Sequence, residues 1–110
     1  MINVGVIGYG YWGPNLIRNF NSCSKVNLKW VCDLDKNRLS KIISQYPHVN
    51  HTIDYNELLK DESLDAIAIA TPVNTHFNLA KSALENNKHV LLEKPIASNS
   101  KEAIELIQIA

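Results

Sequence analysis

Residues 1–13 read MINVGVIGYGYWG, and this stretch decides the fold. Ile2 to Ile7 is a β-rich apolar run, the pattern of a short strand buried on both faces. It stops at Gly8, and Gly8-Tyr9-Gly10-Tyr11-Trp12-Gly13 spells G-x-G-x-x-G. Pro14 follows, where a helix can begin without losing a hydrogen bond. All four glycines of the chain fall within these thirteen residues. A strand, this turn and a helix in succession predict a bend that cradles a dinucleotide diphosphate. The first glycine allows the tight turn, the second lets main-chain amides reach the phosphates, and the third lets the helix pack close to the strand. The helix N-terminus adds partial positive charge. Gly8, Gly10 and Gly13 are therefore candidate cofactor-binding residues. Tyr11 and Trp12 crowd the same turn, either as a wall for the cofactor or as packing residues.

Asn27 to Cys32 predicts a second strand, and Asp33 ends it twenty residues past Gly13. A carboxylate at that place accepts hydrogen bonds from the ribose hydroxyls of an adenosine and repels a 2′-phosphate. The expected cofactor is NAD, favoured over NADP because of Asp33. The competing reading, that Asp33 only caps the next helix, fits Asp35 better. Arg38 either approaches the adenine or faces solvent. The helix after Asp35 should turn Leu39, Ile42, Ile43 and Tyr46 inward and stop at Pro47.

The alternation continues. His48 to Thr52 predicts a weak third strand, and Asp54-Tyr55-Asn56-Glu57 reads as a capping box for a short helix through Leu59. Asp65 to Ala70 predicts a fourth strand, broken by Thr71-Pro72. Asn74 or Thr75 should then cap a helix with Phe77, Ala80, Ala83 and Leu84 on its inner face. His89 to Leu92 is the fifth strand, closed by Glu93-Lys94-Pro95. Asn99, with Glu102 three residues on, opens a last helix whose inner face should be Ala103, Ile104, Ile107 and Ala110. Strands and helices alternating at this spacing define an α/β fold: a Rossmann-type, doubly wound parallel sheet in three layers, α/β/α.

Composition narrows the function. The chain has 110 residues, 11 Lys and Arg against 11 Asp and Glu, and 45% hydrophobic residues, which fits one ordinary domain. The balanced charge predicts no nucleic-acid partner, and no apolar run is long enough to span a bilayer. The opening lacks the basic region of a signal peptide, so the expected compartment is the cytoplasm. Cys23 and Cys32 match no common zinc or redox spacing, and no histidine has metal-like spacing, so no metal site is expected.

Two more segments stand at the carboxyl ends of strands, the edge where ligands bind in open α/β sheets. One is Thr71-Pro72-Val73-Asn74-Thr75-His76; the other is Glu93-Lys94-Pro95. A lysine following an apolar strand can donate a hydrogen bond to a reacting hydroxyl or carbonyl, and partial desolvation moves its pKa towards neutrality. Alternatively Lys94 forms a surface ion pair with Glu93, and His76 is a capping or packing group.

Together GYGYWG, VCDLD, ATPVNTH and AKSALENNKHVLLEKPIA resemble the Gfo/Idh/MocA family of nicotinamide-dependent oxidoreductases, along the whole chain. The resemblance implies that Lys94 is the catalytic lysine, touching the substrate hydroxyl that loses hydride, and that Glu93 helps hold its turn. It implies that Thr71, Pro72 and His76 border the nicotinamide half of the cofactor. The substrate class it implies is a sugar, sugar nucleotide or cyclitol. It further implies that residues 1–110 are the NAD(P)-binding Rossmann domain, truncated from a longer two-domain parent. That parent would be a homo-oligomer through the domain absent here, and this chain alone would be inactive. The competing functions are a non-catalytic nucleotide-binding regulatory or sensor module, which has no need of Glu93-Lys94-Pro95, and an S-adenosylmethionine methyltransferase, against which the glycine spacing argues.

Overall fold

The neighbours Val6 and Ile7 belong to two different cores, and that alternation organises the molecule. The structure is a computed structural model that describes residues 1–8, 13–92 and 99–110. Its strands are β1 (Ile2–Ile7), β2 (Val26–Cys32), β3 (Asn50–Thr52), β4 (Ala66–Ile69) and β5 (His89–Leu92). Its helices are α1 (Gly13–Ser22), α2 (Lys36–Gln45), α3 (Asn56–Lys60), α4 (Val73–Glu85) and α5 (Ser100–Ile109). Every strand pairing is parallel, in the order β3-β2-β1-β4-β5. The Rossmann-type α/β fold expected from the sequence is the fold observed.

One face of the sheet presents Val6, Leu28, Val31 and Ala68 to Ile17 of α1 and to Leu39 and Ile42 of α2. The other presents Ile7, Cys32, Ile67 and Ile69 to Leu58, Ala80, Ala83 and Leu106. Because the side-chain period of a strand is two, the central strands β1, β2 and β4 feed both cores and lack a polar alternation, while the edge strand β5 turns Val90 and Leu92 to one core only. The chain builds outward from β1 to β3 and then returns to the other side of β1 for β4. That reversal leaves a crevice at the carboxyl ends of the strands.

Local signals placed most boundaries. Asp35 accepts hydrogen bonds from the amides of Asn37 and Arg38 and caps α2, and Asn99 accepts from the amide of Glu102 and caps α5. Four details differ from expectation. α4 begins at Val73 behind Pro72, so Asn74 and Thr75 lie inside the helix. There the Thr75 hydroxyl reaches back 2.6 Å to the Pro72 carbonyl instead of capping a free amide. α3 has no side-chain cap of its own; the Asp54 carboxylate accepts the Asn56 amide in a turn just before it. Ile43 is largely outside the core. In α5 Leu106 is the buried residue, while Ile104 and Ile107 are 56% and 68% exposed. Apolar residues cover more than half of that helix's circumference, opposite Lys101, Glu105 and Gln108, so periodicity leaves the buried edge within that arc open. The α4 contact settles it: Glu105 pairs with Lys81 at 3.2 Å, and Ala103 packs with Leu106 on the core.

At the amino ends of the strands Asp61 joins several elements. Its carboxylate accepts hydrogen bonds from Trp30 Nε1 at 2.8 Å and from the Ser63 hydroxyl at 2.7 Å, and pairs with Lys29 at 2.8 Å. Buried Lys88 donates to the Asp61 carbonyl at 2.6 Å. Lys29 above all, with Ser63 and Trp30, holds the Asp61 carboxyl well below the usual carboxylate range, against the opposing effect of burial. A depressed folded-state pKa means that the unfolded chain binds the proton more readily. The stabilisation is therefore complete above the ordinary carboxylate pKa of about 3.9 and is lost as pH falls below it. Asp61→Asn should cost about 1 kcal/mol at pH 7, at the low end for charge-assisted bonds because the pair borders solvent. It should also flatten the fall in urea-unfolding midpoint between pH 5 and 3; an unchanged acid slope would remove Asp61 from the acid response. Among the described residues no helix is long and apolar enough to cross a membrane.

Candidate active site at the carboxyl edge of the sheet

β1, β2 and β4 end together. The Gly8 amide donates to the Cys32 carbonyl at 2.7 Å, the Ala70 amide to the Ile7 carbonyl at 2.8 Å, and the Asp33 amide to the Thr52 carbonyl at 3.2 Å. These bonds bring Gly8, Asp33 and the Thr71-Pro72 turn to the rim of one cleft of about 610 Å³. Gly8 has φ of 89°, in the left-handed region. A Cβ on it would stand 2.7 Å from the Thr71 methyl and 3.0 Å from the Ala70 carbonyl group. Only glycine lets β1 turn here against β4.

Asp33 is 7% exposed and lies at the cleft wall. Its Oδ1 accepts the Asp35 amide at 2.8 Å, and its Oδ2 is 3.8 Å from Arg38 Nη1. Arg38 is 3.7 Å from Asp35 as well, and half exposed. The carboxylate is thus oriented by its own turn and by the first turn of α2. Asp35 takes the capping role, as expected. Cys32 lines the cleft too, but burial first, and then the charges of Asp33, Asp54 and Glu57, push its thiol up to about 12. It stays protonated and behaves as a small apolar group.

The cleft brings together Gly8, Asp33, Thr71 and Pro72 from the expected set. Gly10, Tyr11, Trp12, Glu93 and Lys94 lie outside the described residues, and Gly13 opens α1. His76 is placed differently: it is 2% exposed, does not border the cleft, and puts its Nε2 2.9 Å from the Thr71 carbonyl oxygen. Among the lining residues that sequence reasoning did not foresee are Leu34 and Ile53, 85% and 46% exposed beside Asp33. Two large apolar side chains left in solvent next to a carboxylate suit the flat face of an aromatic base. The available signal was Leu34 itself, an apolar residue between Asp33 and Asp35 in a turn that has no core to enter.

A larger hollow, about 880 Å³, opens at the amino ends of the strands. It mixes Lys60 and His89 with Glu62, Asp65 and Glu85, and Lys88 there is already engaged by Asp61. Ligands in doubly wound sheets bind at the opposite edge, beside the reversal of strand order.

These features define a dinucleotide-binding domain of the Rossmann class. Residues 2–110 match the family model described as the oxidoreductase family with an NAD-binding Rossmann fold, GFO_IDH_MocA, and the chain belongs to that family. It is 34% identical over 110 residues to the uncharacterized oxidoreductase YdgJ of Escherichia coli, covering 99% of this chain and 31% of that protein. Among solved structures it resembles GenD2 from gentamicin A biosynthesis in complex with NAD, with a TM-score of 0.93 and 27% identity, covering 99% of this chain and 31% of that one. It also resembles myo-inositol 2-dehydrogenase from Lactobacillus plantarum, with a TM-score of 0.90 and 26% identity over 98% of this chain and 32% of that one. The chain spans about a quarter to a third of the length of the curated relatives it matches.

Proposed function

We propose that residues 1–110 form the cofactor-holding domain of an NAD-dependent dehydrogenase acting on a hydroxyl of a sugar, sugar nucleotide or cyclitol. One observation carries the reading: the Gly8 bend and the Asp33 carboxylate face one cleft at the switch point of the sheet. Asp33 would accept the ribose hydroxyls, Leu34 and Ile53 would flank the adenine, and the bend from Gly8 to Gly13, with Tyr11 and Trp12, would receive the diphosphate. Thr71 and Pro72 would border the nicotinamide half, with Glu93 near by. A 2′-phosphate would meet the Asp33 charge, which favours NAD over NADP; the NAD-bound state of GenD2 supports the choice.

When bound, the nicotinamide takes or gives a hydride. Lys94 comes two residues after the end of β5 in the sequence, and we assign it the proton of the reacting hydroxyl. Substrate selection and homo-oligomer formation would fall to a second domain of the parent, and closure of that domain would position the hydroxyl. The compartment proposed for it is the cytoplasm.

Titration of the chain with NADH, NADPH and S-adenosylmethionine, followed by nucleotide and tryptophan fluorescence, tests the reading. NADH should bind, NADPH about tenfold more weakly, a difference of about 1.4 kcal/mol, and S-adenosylmethionine not at all. Lys94→Met should leave NADH affinity unchanged while stopping turnover in the whole protein. A response to S-adenosylmethionine with none to NADH would overturn the assignment.

A further inference from the structure

His76 sits inside α4 at a position where an aliphatic side chain would be the ordinary choice. Its neighbours on that helix, Ala80 and Ala83, are fully buried, and His76 is 2% exposed. A buried imidazole is costly unless hydrogen-bonded. Here Nε2 lies 2.9 Å from the Thr71 carbonyl oxygen, five residues back, and since a carbonyl can only accept, Nε2 carries the proton in that bond.

Thr71 is held at two further points. Its hydroxyl is 2.6 Å from that of Thr75, which also reaches the Pro72 carbonyl at 2.6 Å. Its methyl group occupies the space that a Cβ of Gly8 would need, 2.7 Å away. The order of contacts is therefore His76 to the Thr71 main chain, and the Thr71 methyl to the Gly8 bend. Gly8 and Thr71 both line the cleft; His76 stands behind them.

We propose that His76 is a positioning residue: its imidazole fixes the Thr71-Pro72 turn against Gly8 and so sets the width of the cleft on the side away from Asp33. This rests on reading the cleft as a dinucleotide site. The side it controls would receive the diphosphate and nicotinamide, and the adenosine at Asp33 lies beyond its reach.

That division supplies the test. Binding of NADH and of AMP is measured for the wild-type chain, His76→Leu and His76→Gln. The leucine fills the space without a donor, while the glutamine amide can present an N–H near the place of Nε2. His76→Leu should bind NADH about tenfold more weakly, about 1.4 kcal/mol, with AMP affinity unchanged. His76→Gln should recover NADH binding to within about threefold. A merely structural role would weaken NADH and AMP together, and that result would overturn the proposal, as would wild-type NADH affinity in His76→Leu. If His76→Leu does not fold, His76→Gln decides: loss of NADH and AMP binding alike counts against positioning, and retention of both supports it. A wild-type chain that binds AMP but not NADH would sink the dinucleotide reading, and this proposal with it.

Discussion

Gly8→Ala is expected to destabilise the chain by about 2–4 kcal/mol and to abolish measurable NADH binding. Two separate costs add. An alanine held at φ near 89° is strained by about 1–3 kcal/mol. Its Cβ must also displace the Thr71 methyl at 2.7 Å and the Ala70 carbonyl group at 3.0 Å, and the latter is main chain that cannot swing aside. Gly5→Ala is the control. There the nearest atom is the Leu58 Cδ2 at 2.9 Å, the far end of a flexible side chain, and φ is ordinary. Overpacking alone should then cost about 1 kcal/mol and leave binding intact. Urea unfolding at pH 7 and NADH titration measure both. Equal losses in the two variants, or NADH binding retained in Gly8→Ala, would show that the bend does not depend on glycine.

At Asp33 the expected effect is on selectivity. Asp33→Asn retains an oxygen for the Asp35 amide but removes the charge and its attraction for Arg38. Hydrogen bonds to a charged acceptor are worth about 1.5–3 kcal/mol, so NADH affinity should fall about 10- to 100-fold. NADPH should lose little or gain, because the repulsion of its 2′-phosphate goes and Arg38 becomes available to it. Asp33→Ala should show the same narrowing with a further loss of about 1 kcal/mol of stability, since the Asp35 amide loses its acceptor. Parallel losses for NADH and NADPH would mean that this carboxylate does not read the ribose.

Much of this site was legible in the chain before it folded. Gly8 and Asp33 could be placed because each ends a strand whose length and composition are local properties. The Asp35 and Asn99 caps likewise involve amides two or three residues away. The start of α4 was less legible: Asn74 and Thr75 both carry capping chemistry, yet the helix begins at Val73 behind Pro72 and takes both inside it. His76 illustrates the same limit. The family resemblance implied contact with the nicotinamide, while its residue type at a helix start fitted a capping or packing group; the packing of α4 on the sheet turned it inward onto the Thr71 carbonyl.

The amino-acid order by itself determined the alternation of strands and helices, the glycine bend after β1 and the acidic end of β2, because hydrophobic period, turn chemistry and capping act over a few residues. Only the tertiary structure decided that Leu106 rather than Ile104 enters the core and that Lys88 is buried against Asp61. It also decided that Leu34 and Ile53 stand together beside Asp33. Those outcomes depend on neighbours brought from distant parts of the chain, and a side chain's environment is set by the partner it meets, not by its own propensity.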